Sequence, residues 1–446
     1  MSEATPDAGA GAPTGDDPFG ALLDDCVHCG FCLPTCPTYV LWGEEMDSPR
    51  GRIHLMAQHH EGTPLTPEMA GHFDACLGCL ACVSSCPSGV QYDKLIDHTR
   101  AEVEREHPRT VPERALRAAI FALFPYPRRL RAVRGPLRLY QASGLGRVVQ
   151  PVLARLSPSL AAMERLAPPL GRARRLPERI GARGERRAAV GMLTGCVQRE
   201  FFPQVNSATA RVLALEGCDV LVPKGQGCCG ALSLHSGRTE EAKAFARATI
   251  EAFERVDAIV VNSAGCGSAM KEYAALFADE PAWAARAAAL SGRTRDFSEF
   301  LSELGPRARR HPVEVTAAYH DACHLAHGQG IRSQPRELLR GVPGLDLREV
   351  ADPDVCCGSA GTYNLLQPEA ADALGERKAI QVGATEAELL IAANPGCTAQ
   401  IASALARRGT EIAVAHPAQV LDASLRGLGA TPLLSHPDQI ARTTMR

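Results

Sequence analysis

Residues 26–37 read Cys-Val-His-Cys-Gly-Phe-Cys-Leu-Pro-Thr-Cys-Pro, and residues 76–87 read Cys-Leu-Gly-Cys-Leu-Ala-Cys-Val-Ser-Ser-Cys-Pro. Both are C-x2-C-x2-C-x3-C-P runs, the spacing that holds paired [4Fe–4S] clusters. In such a run the first three thiolates sit on one tight loop and reach three irons of one cube. The fourth, set apart and followed by proline, ligates the other cluster. The rule assigns Cys26, Cys29, Cys32 and Cys86 to one cluster, and Cys76, Cys79, Cys82 and Cys36 to the second. Two clusters that exchange a ligand lie close together, as an electron relay requires. Structural zinc fits less well, because zinc sites present pairs of thiolates rather than a third at the same spacing. Disulfides need an oxidising compartment, and the opening residues carry neither a basic n-region nor an apolar h-region. The expected location is cytoplasmic.

Working outward, 446 residues exceed one ordinary core, so two or more domains are expected. With 45% hydrophobic and 22% charged residues and no apolar run near membrane-spanning length, the chain reads as soluble or peripheral. A net charge of −2 and only 5% aromatic residues argue against nucleic acid as a partner. Seventeen cysteines without an export signal point to metal ligation or redox work.

Residues 1–18 are Gly, Ala, Pro, Asp and Thr with little apolar material, and are expected to form a flexible tail. Residues 19–106 alternate cluster loops with short helices and read as a ferredoxin-type domain. In Ser48-Pro49-Arg50-Gly51-Arg52, Ser48 suits an N-cap and Pro49 the first helical position, while the arginines could instead face a cluster or a partner subunit. Residues 107–187 form an Arg/Pro-rich helical connector. From Arg105 to Arg187 there are nineteen Arg, five Glu and no Lys or Asp. Ala115–Leu123 and Val148–Leu156 have apolar residues at helical spacing, so basic amphipathic helices are expected, resting on an acidic partner or on anionic lipid. A solvated connector is the plainer reading.

Beyond residue 187, apolar runs alternate with helical patterns. The runs are Ala188–Leu193, Asp219–Pro223, Asp257–Asn262, Val313–Tyr319 and Glu388–Asn394, which imply α/β units with a largely parallel sheet. Cys196, Cys228-Cys229-Gly230 and Cys266 recur as Cys323, Cys356-Cys357-Gly358 and Cys397, at offsets of 127, 128 and 131 residues. A duplication explains the pattern: repeat 1 at 188–310 and repeat 2 at 311–446. The expected fold class is therefore α/β overall, with a small, mainly helical two-cluster domain followed by a duplicated α/β Cys-Cys-Gly domain. The repeated cysteines could form a functional site, the glycine letting backbone approach a bound group, or they could be buried free thiols. His320 could be a ligand or proton donor, although repeat 1 has no matching histidine. No G-x-G-x-x-G, P-loop, G-x-S-x-G or H-E-x-x-H occurs, so substrate oxidation needs another subunit and no catalytic residue is assigned to this chain.

Together, Cys-Val-His-Cys-Gly-Phe-Cys with Thr-Cys-Pro-Thr-Tyr, Ser-Pro-Arg-Gly-Arg-Ile, Cys-Pro-Ser-Gly-Val, Gly-Cys-Gly before Lys-Glu-Tyr, and Cys-Cys-Gly-Ser-Ala-Gly-Thr-Tyr resemble the iron–sulfur subunit of bacterial glycolate oxidase, from about residue 20 to 430. The resemblance implies two [4Fe–4S] clusters here and FAD on partner subunits that oxidise glycolate to glyoxylate. It also implies onward transfer of electrons to a membrane acceptor, with peripheral contact at the cytoplasmic face of the inner membrane as an option. The Cys-Cys-Gly half is similar to heterodisulfide reductase, but departs from its closing C-x2-C, since Ala269 and Gln400 stand three residues after Cys266 and Cys397. A further cluster or metal on Cys196, Cys228, Cys229 and Cys266, or on Cys323, Cys356, Cys357 and Cys397, is left open. A D-lactate or glycerol 3-phosphate dehydrogenase subunit is the alternative, and an iron–sulfur sensor or scaffold a third.

Overall fold

The structure, a computed structural model, describes residues 17–171 and 175–435. The expected tail up to residue 16, and the last eleven residues of the expected second repeat, lie outside them. The N-terminal part is helical: α1 (Pro18–Asp24), α2 (Pro37–Trp42), α3 (Pro49–His60), α4 (Pro67–Ala75), α5 (Ala81–Ser84) and α6 (Tyr92–Glu106). Proline opens three of these after a polar cap. The Ser48 hydroxyl accepts the Gly51 N–H at 3.0 Å and Thr66 accepts that of Met69 at 3.2 Å, each satisfying a donor that the helix leaves free. Ile53, Met56, Phe73, Leu95 and Ile96 from three helices pack into one core. That core fixes the loop between α1 and α2 against the loop between α4 and α5.

Four helices follow: α7 (Val111–Leu123), α8 (Pro127–Ser143), α9 (Gly146–Leu156) and α10 (Pro158–Arg165). The two stretches of helical spacing fall inside α7 and α9. The connector is more than a solvated strap, because its arginines reach every other part of the molecule. Arg109 pairs with Asp74 of α4 at 3.1 Å, Arg131 with Glu200 at 2.7 Å, and Arg165 with Asp372 at 2.8 Å.

The remainder forms two sheets. In the first, β1 (Arg179–Ile180), β2 (Ala188–Leu193), β3 (Cys218–Leu221), β4 (Ala258–Val261) and β5 (Thr294–Asp296) take the order β1-β3-β2-β4-β5. In the second, β6 (Val315–His320), β7 (Leu345–Glu349), β8 (Leu389–Ala392) and β9 (Ala413–Ala415) take the order β7-β6-β8-β9. Apart from the antiparallel β1, all pairings are parallel, and β3-β2-β4-β5 repeats as β7-β6-β8-β9. In each copy the strand order reverses between the first strand and the third, leaving a crevice at their carboxyl ends. The copies share a core that includes Val190, Met192 and Leu213 with Tyr319, Leu339 and Leu421. Their equivalent loops also meet: the Ala264 N–H donates to the Ala393 carbonyl at 3.2 Å.

Candidate metal centres

The two cysteine loops line two adjoining hollows. Cys26, Cys29, Cys32 and Cys86 line the first, and Cys36, Cys76, Cys79 and Cys82 line the second; Cys82, Pro49 and Tyr92 edge both. Four thiols around each hollow form the all-sulfur donor set of an iron–sulfur cube, so the residues present fit that group. The hollows differ in exposure. Cys29 is exposed, and Val27 and Phe31 beside it are 67% and 66% exposed, whereas Cys36, Cys76, Cys79 and Cys82 are all buried. Cys79 also packs in one apolar cluster with Cys323, Cys356 and Tyr363 of repeat 2.

The two readings of Ser48-Pro49-Arg50-Gly51-Arg52 coexist. Ser48 caps α3, while Arg50 lines the first hollow and Arg52 the second. Arg50 pairs with Glu45 at 2.6 Å and donates to the His28 carbonyl at 3.0 Å, bracing the first cysteine loop. Arg52 is 1% exposed. Its guanidinium donates to the Asp47 carboxylate at 3.0 Å, the Asp47 carbonyl at 2.6 Å, Thr38 Oγ1 at 3.1 Å and the His72 carbonyl at 2.6 Å. Burial works against its charge, but Cys76, Tyr92, Cys36 and Asp47 outweigh it and hold the group more firmly protonated than usual.

Tyr92 and Arg100 of α6 belong to no local motif, so nothing in the sequence marks them as neighbours of a cysteine. The Tyr92 hydroxyl reaches Cys76 Sγ at 3.6 Å, the Gly78 N–H reaches it at 3.3 Å, and Arg100 donates to the Cys76 carbonyl at 2.5 Å. Burial pushes the Cys76 thiol up, but Arg52, Arg100 and these two donors overcome it and hold the thiol below its usual value. Burial, reinforced by Cys36 and Cys26 and only partly offset by backbone N–H donors, carries Cys32 up to about 11. Thiols held protonated this way must release protons as metal enters.

The repeat cysteines sit at the carboxyl edges of their sheets, around the crevice between the first and third strands. Cys196 follows β2 and Cys266 lies in the helix after β4, with Cys228 and Cys229 on the loop after β3. Cys323, Cys397, Cys356 and Cys357 take the same places around β6, β8 and β7. Sulfur approaches sulfur at 3.7 Å between Cys196 and Cys228, and at 3.8 Å between Cys323 and Cys356. The glycine after each pair has a different role from the one expected of it. Gly230 and Gly358 take φ values of 85° and 87°, and a Cβ there would lie 3.0 Å from the Ala242 carbonyl and 2.6 Å from the Ala371 carbonyl. The glycines let the loop press on a helix backbone of their own repeat. His320 ends β6, as Leu193 ends β2, and burial holds its imidazole neutral with its pKa at about 3.

Family models match three parts of the chain: a 4Fe-4S dicluster domain over residues 22–90, a glycolate oxidase iron–sulfur subunit linker region over 112–167, and a cysteine-rich domain over 190–271 and again over 317–402. A probable glycolate oxidase iron–sulfur subunit of Bacillus subtilis is 38% identical over 404 residues, covering 87% of this chain and 90% of that protein. The glycolate oxidase iron–sulfur subunit of Escherichia coli is 36% identical over 401 residues, covering 86% and 91%. Lactate utilization protein A of Shouchella clausii is 35% identical over 239 residues, covering 52% of this chain and 98% of that protein. With both glycolate oxidase relatives aligned along nearly their whole length, the chain belongs to the family of glycolate oxidase iron–sulfur subunits.

Proposed function

We propose that the chain carries two [4Fe–4S] clusters, one on Cys26, Cys29, Cys32 and Cys86 and one on Cys76, Cys79, Cys82 and Cys36, and passes electrons from FAD-bearing glycolate oxidase subunits to a membrane acceptor. The observation that supports this best is the pair of adjoining four-thiol hollows, one ringed by exposed and half-buried thiols and one by buried thiols. Electrons enter at the exposed cluster, where Val27 and Phe31 offer an apolar contact for the flavoprotein, and move to the buried one. Tyr92, Gly78 and Arg52 tune the buried cluster through the Cys76 sulfur and its charge surroundings.

The acceptor side is served by α8 and α9. Leu139, Val148, Val152 and Leu156 are between 52% and 75% exposed, and α9 contains no acidic residue. An apolar stripe at i, i+4, i+8 in an arginine-rich connector suits peripheral contact with an anionic bilayer. No helix among the described residues is long and apolar enough to cross a membrane. The test is to purify the chain with its native partners under anaerobic conditions and add glycolate. Bleaching of the cluster absorbance within one turnover supports the proposal. Bleaching by D-lactate or glycerol 3-phosphate but not glycolate transfers it to the alternative, and no bleaching by any of the three removes it.

A further inference from the structure

Away from the two hollows, the described residues bring three metal-ligating side chains together in the interior of repeat 2. A ring nitrogen of His320 and the sulfurs of Cys357 and Cys397 all lie within 4.8 Å of one another, and all three residues are buried. His320 is 2% exposed, and neither of its ring nitrogens has a hydrogen-bond partner among the described residues. A buried polar atom without a partner is normally avoided, because it has given up water and gained nothing. Both nitrogens being left so, on a side chain placed against two thiols, points to a ligand that completes the set.

The fold explains how the three meet. His320 ends β6, Cys357 lies on the loop after β7, and Cys397 stands in the first turn of the helix after β8. These are carboxyl ends around the crevice where the strand order reverses, the place where this class of sheet binds ligands.

We propose that repeat 2 holds a single zinc ion on His320, Cys357 and Cys397, with a fourth thiolate drawn from the Cys323–Cys356 pair. The spacing favours one ion over a cluster. A tetrahedral zinc with sulfur at about 2.3 Å and nitrogen at about 2.0 Å sets its ligand atoms about 3.5–3.8 Å apart. The ligand atoms of His320, Cys357 and Cys397, all within 4.8 Å of one another, reach that length by small side-chain movements. The eight N-terminal cysteines instead ring hollows. A mixed nitrogen and sulfur donor set suits zinc. Four protein ligands with no position left open are the mark of a structural site.

Repeat 1 is an internal control. It has the same four cysteines, but Leu193 stands where repeat 2 has His320, so the mixed site is confined to repeat 2. The position also suggests what the ion does. Cys323 and Cys356 share an apolar cluster with Leu77 and Cys79, so zinc would stiffen the wall behind the second hollow. The inference goes beyond the relay, and its failure would leave the relay standing.

The experiment is metal and sulfide analysis with zinc-edge X-ray absorption on the full chain, purified anaerobically without chelator and then exposed to zinc alone. The expected result is one zinc per chain beyond the cluster iron, with nitrogen as well as sulfur in its first shell. His320→Ala and Cys397→Ser should lower zinc occupancy at least tenfold, while Cys266→Ser in repeat 1 leaves it unchanged. His320→Cys keeps a ligand and should retain zinc with an all-sulfur shell, a change that misfolding would not produce. Several results would overturn the proposal: no zinc in the wild-type chain, an all-sulfur shell there, equal loss in Cys266→Ser, four further irons with matching sulfide, or a Cys323–Cys356 disulfide.

Discussion

Replacing Arg52 by methionine tests how the buried hollow is held. The side chain is 1% exposed, and its four acceptors come from three separate places: Thr38 in α2, Asp47 just before α3, and His72 in α4. Methionine fills much of the volume but leaves the Asp47 carboxylate without its guanidinium partner, with the His72 ring nitrogen still 3.0 Å away. Removing one member of a buried pair typically costs about 3–5 kcal/mol. If iron leaves the second hollow by local opening, that loss corresponds to an increase of about 10²–10⁴-fold in release rate. The assay is anaerobic challenge with a ferrous chelator, followed by the colour of the iron complex. Arg52→Met should show two phases, with half of the iron released fast and half at the wild-type rate. Arg52→Lys keeps the charge but loses the planar fork, and should fall between. Adding Asp47→Asn to Arg52→Met removes the stranded charge and should recover part of the loss, a coupling of about 1–3 kcal/mol. Wild-type kinetics in Arg52→Met, or a double variant whose penalty is the sum of the singles, would refute the reasoning.

Tyr92→Phe deletes one donor to the Cys76 sulfur. A hydrogen bond of about 1 kcal/mol net corresponds to roughly 40 mV for one electron, so the potential of the second cluster should fall by about 20–60 mV in a redox titration monitored by EPR while that of the first stays put. Val152→Asp with Leu156→Asp should abolish sedimentation of the chain with anionic vesicles and leave its iron content unchanged; undiminished sedimentation would remove the membrane role of α9. His235 lies 3.9 Å from Asp97, where α6 meets repeat 1. Burial works against its charge, but Asp97 and Glu272 outweigh this and raise its pKa above 6.5. A raised histidine contributes stability that is complete below its ordinary pKa and is lost as pH rises through the folded value. Hydrogen exchange at this junction, corrected for intrinsic rates, should therefore accelerate from about pH 6.5 upward, and Asp97→Asn should remove the dependence.

The parts of the fold legible in the sequence are those whose residues answer to local rules. The five apolar runs became β2, β3, β4, β6 and β8, strands near the sheet centres or beside them. The strands without an apolar run, β1, β5, β7 and β9, are the outermost of their sheets. An edge strand is covered on fewer sides, so its composition need not differ from that of a loop. At the candidate centres, cysteine spacing marked the thiols, and the chemistry of the surrounding shell was hidden. Arg52, Thr38 and Asp47 converge through tertiary packing, as do Tyr92 and Arg100 on Cys76, and no spacing rule connects them. The Cys-Cys-Gly glycines could be seen to need special backbone freedom, but the helix they press against lies more than ten residues further on. The reach of the connector's arginines to Asp74, Glu200 and Asp372 was equally invisible, since each acid belongs to a different part of the chain.

The most direct test of the relay is iron and acid-labile sulfide analysis with low-temperature EPR of the dithionite-reduced full chain and its Cys36→Ser and Cys86→Ser variants. Crossed ligation predicts eight cluster irons with eight sulfides and two signals broadened by mutual coupling. It also predicts that Cys86→Ser alters the cluster held by Cys26, Cys29 and Cys32, while Cys36→Ser alters the one held by Cys76, Cys79 and Cys82. Four irons, two uncoupled signals, or a variant that disturbs only the cluster of its own run would contradict it.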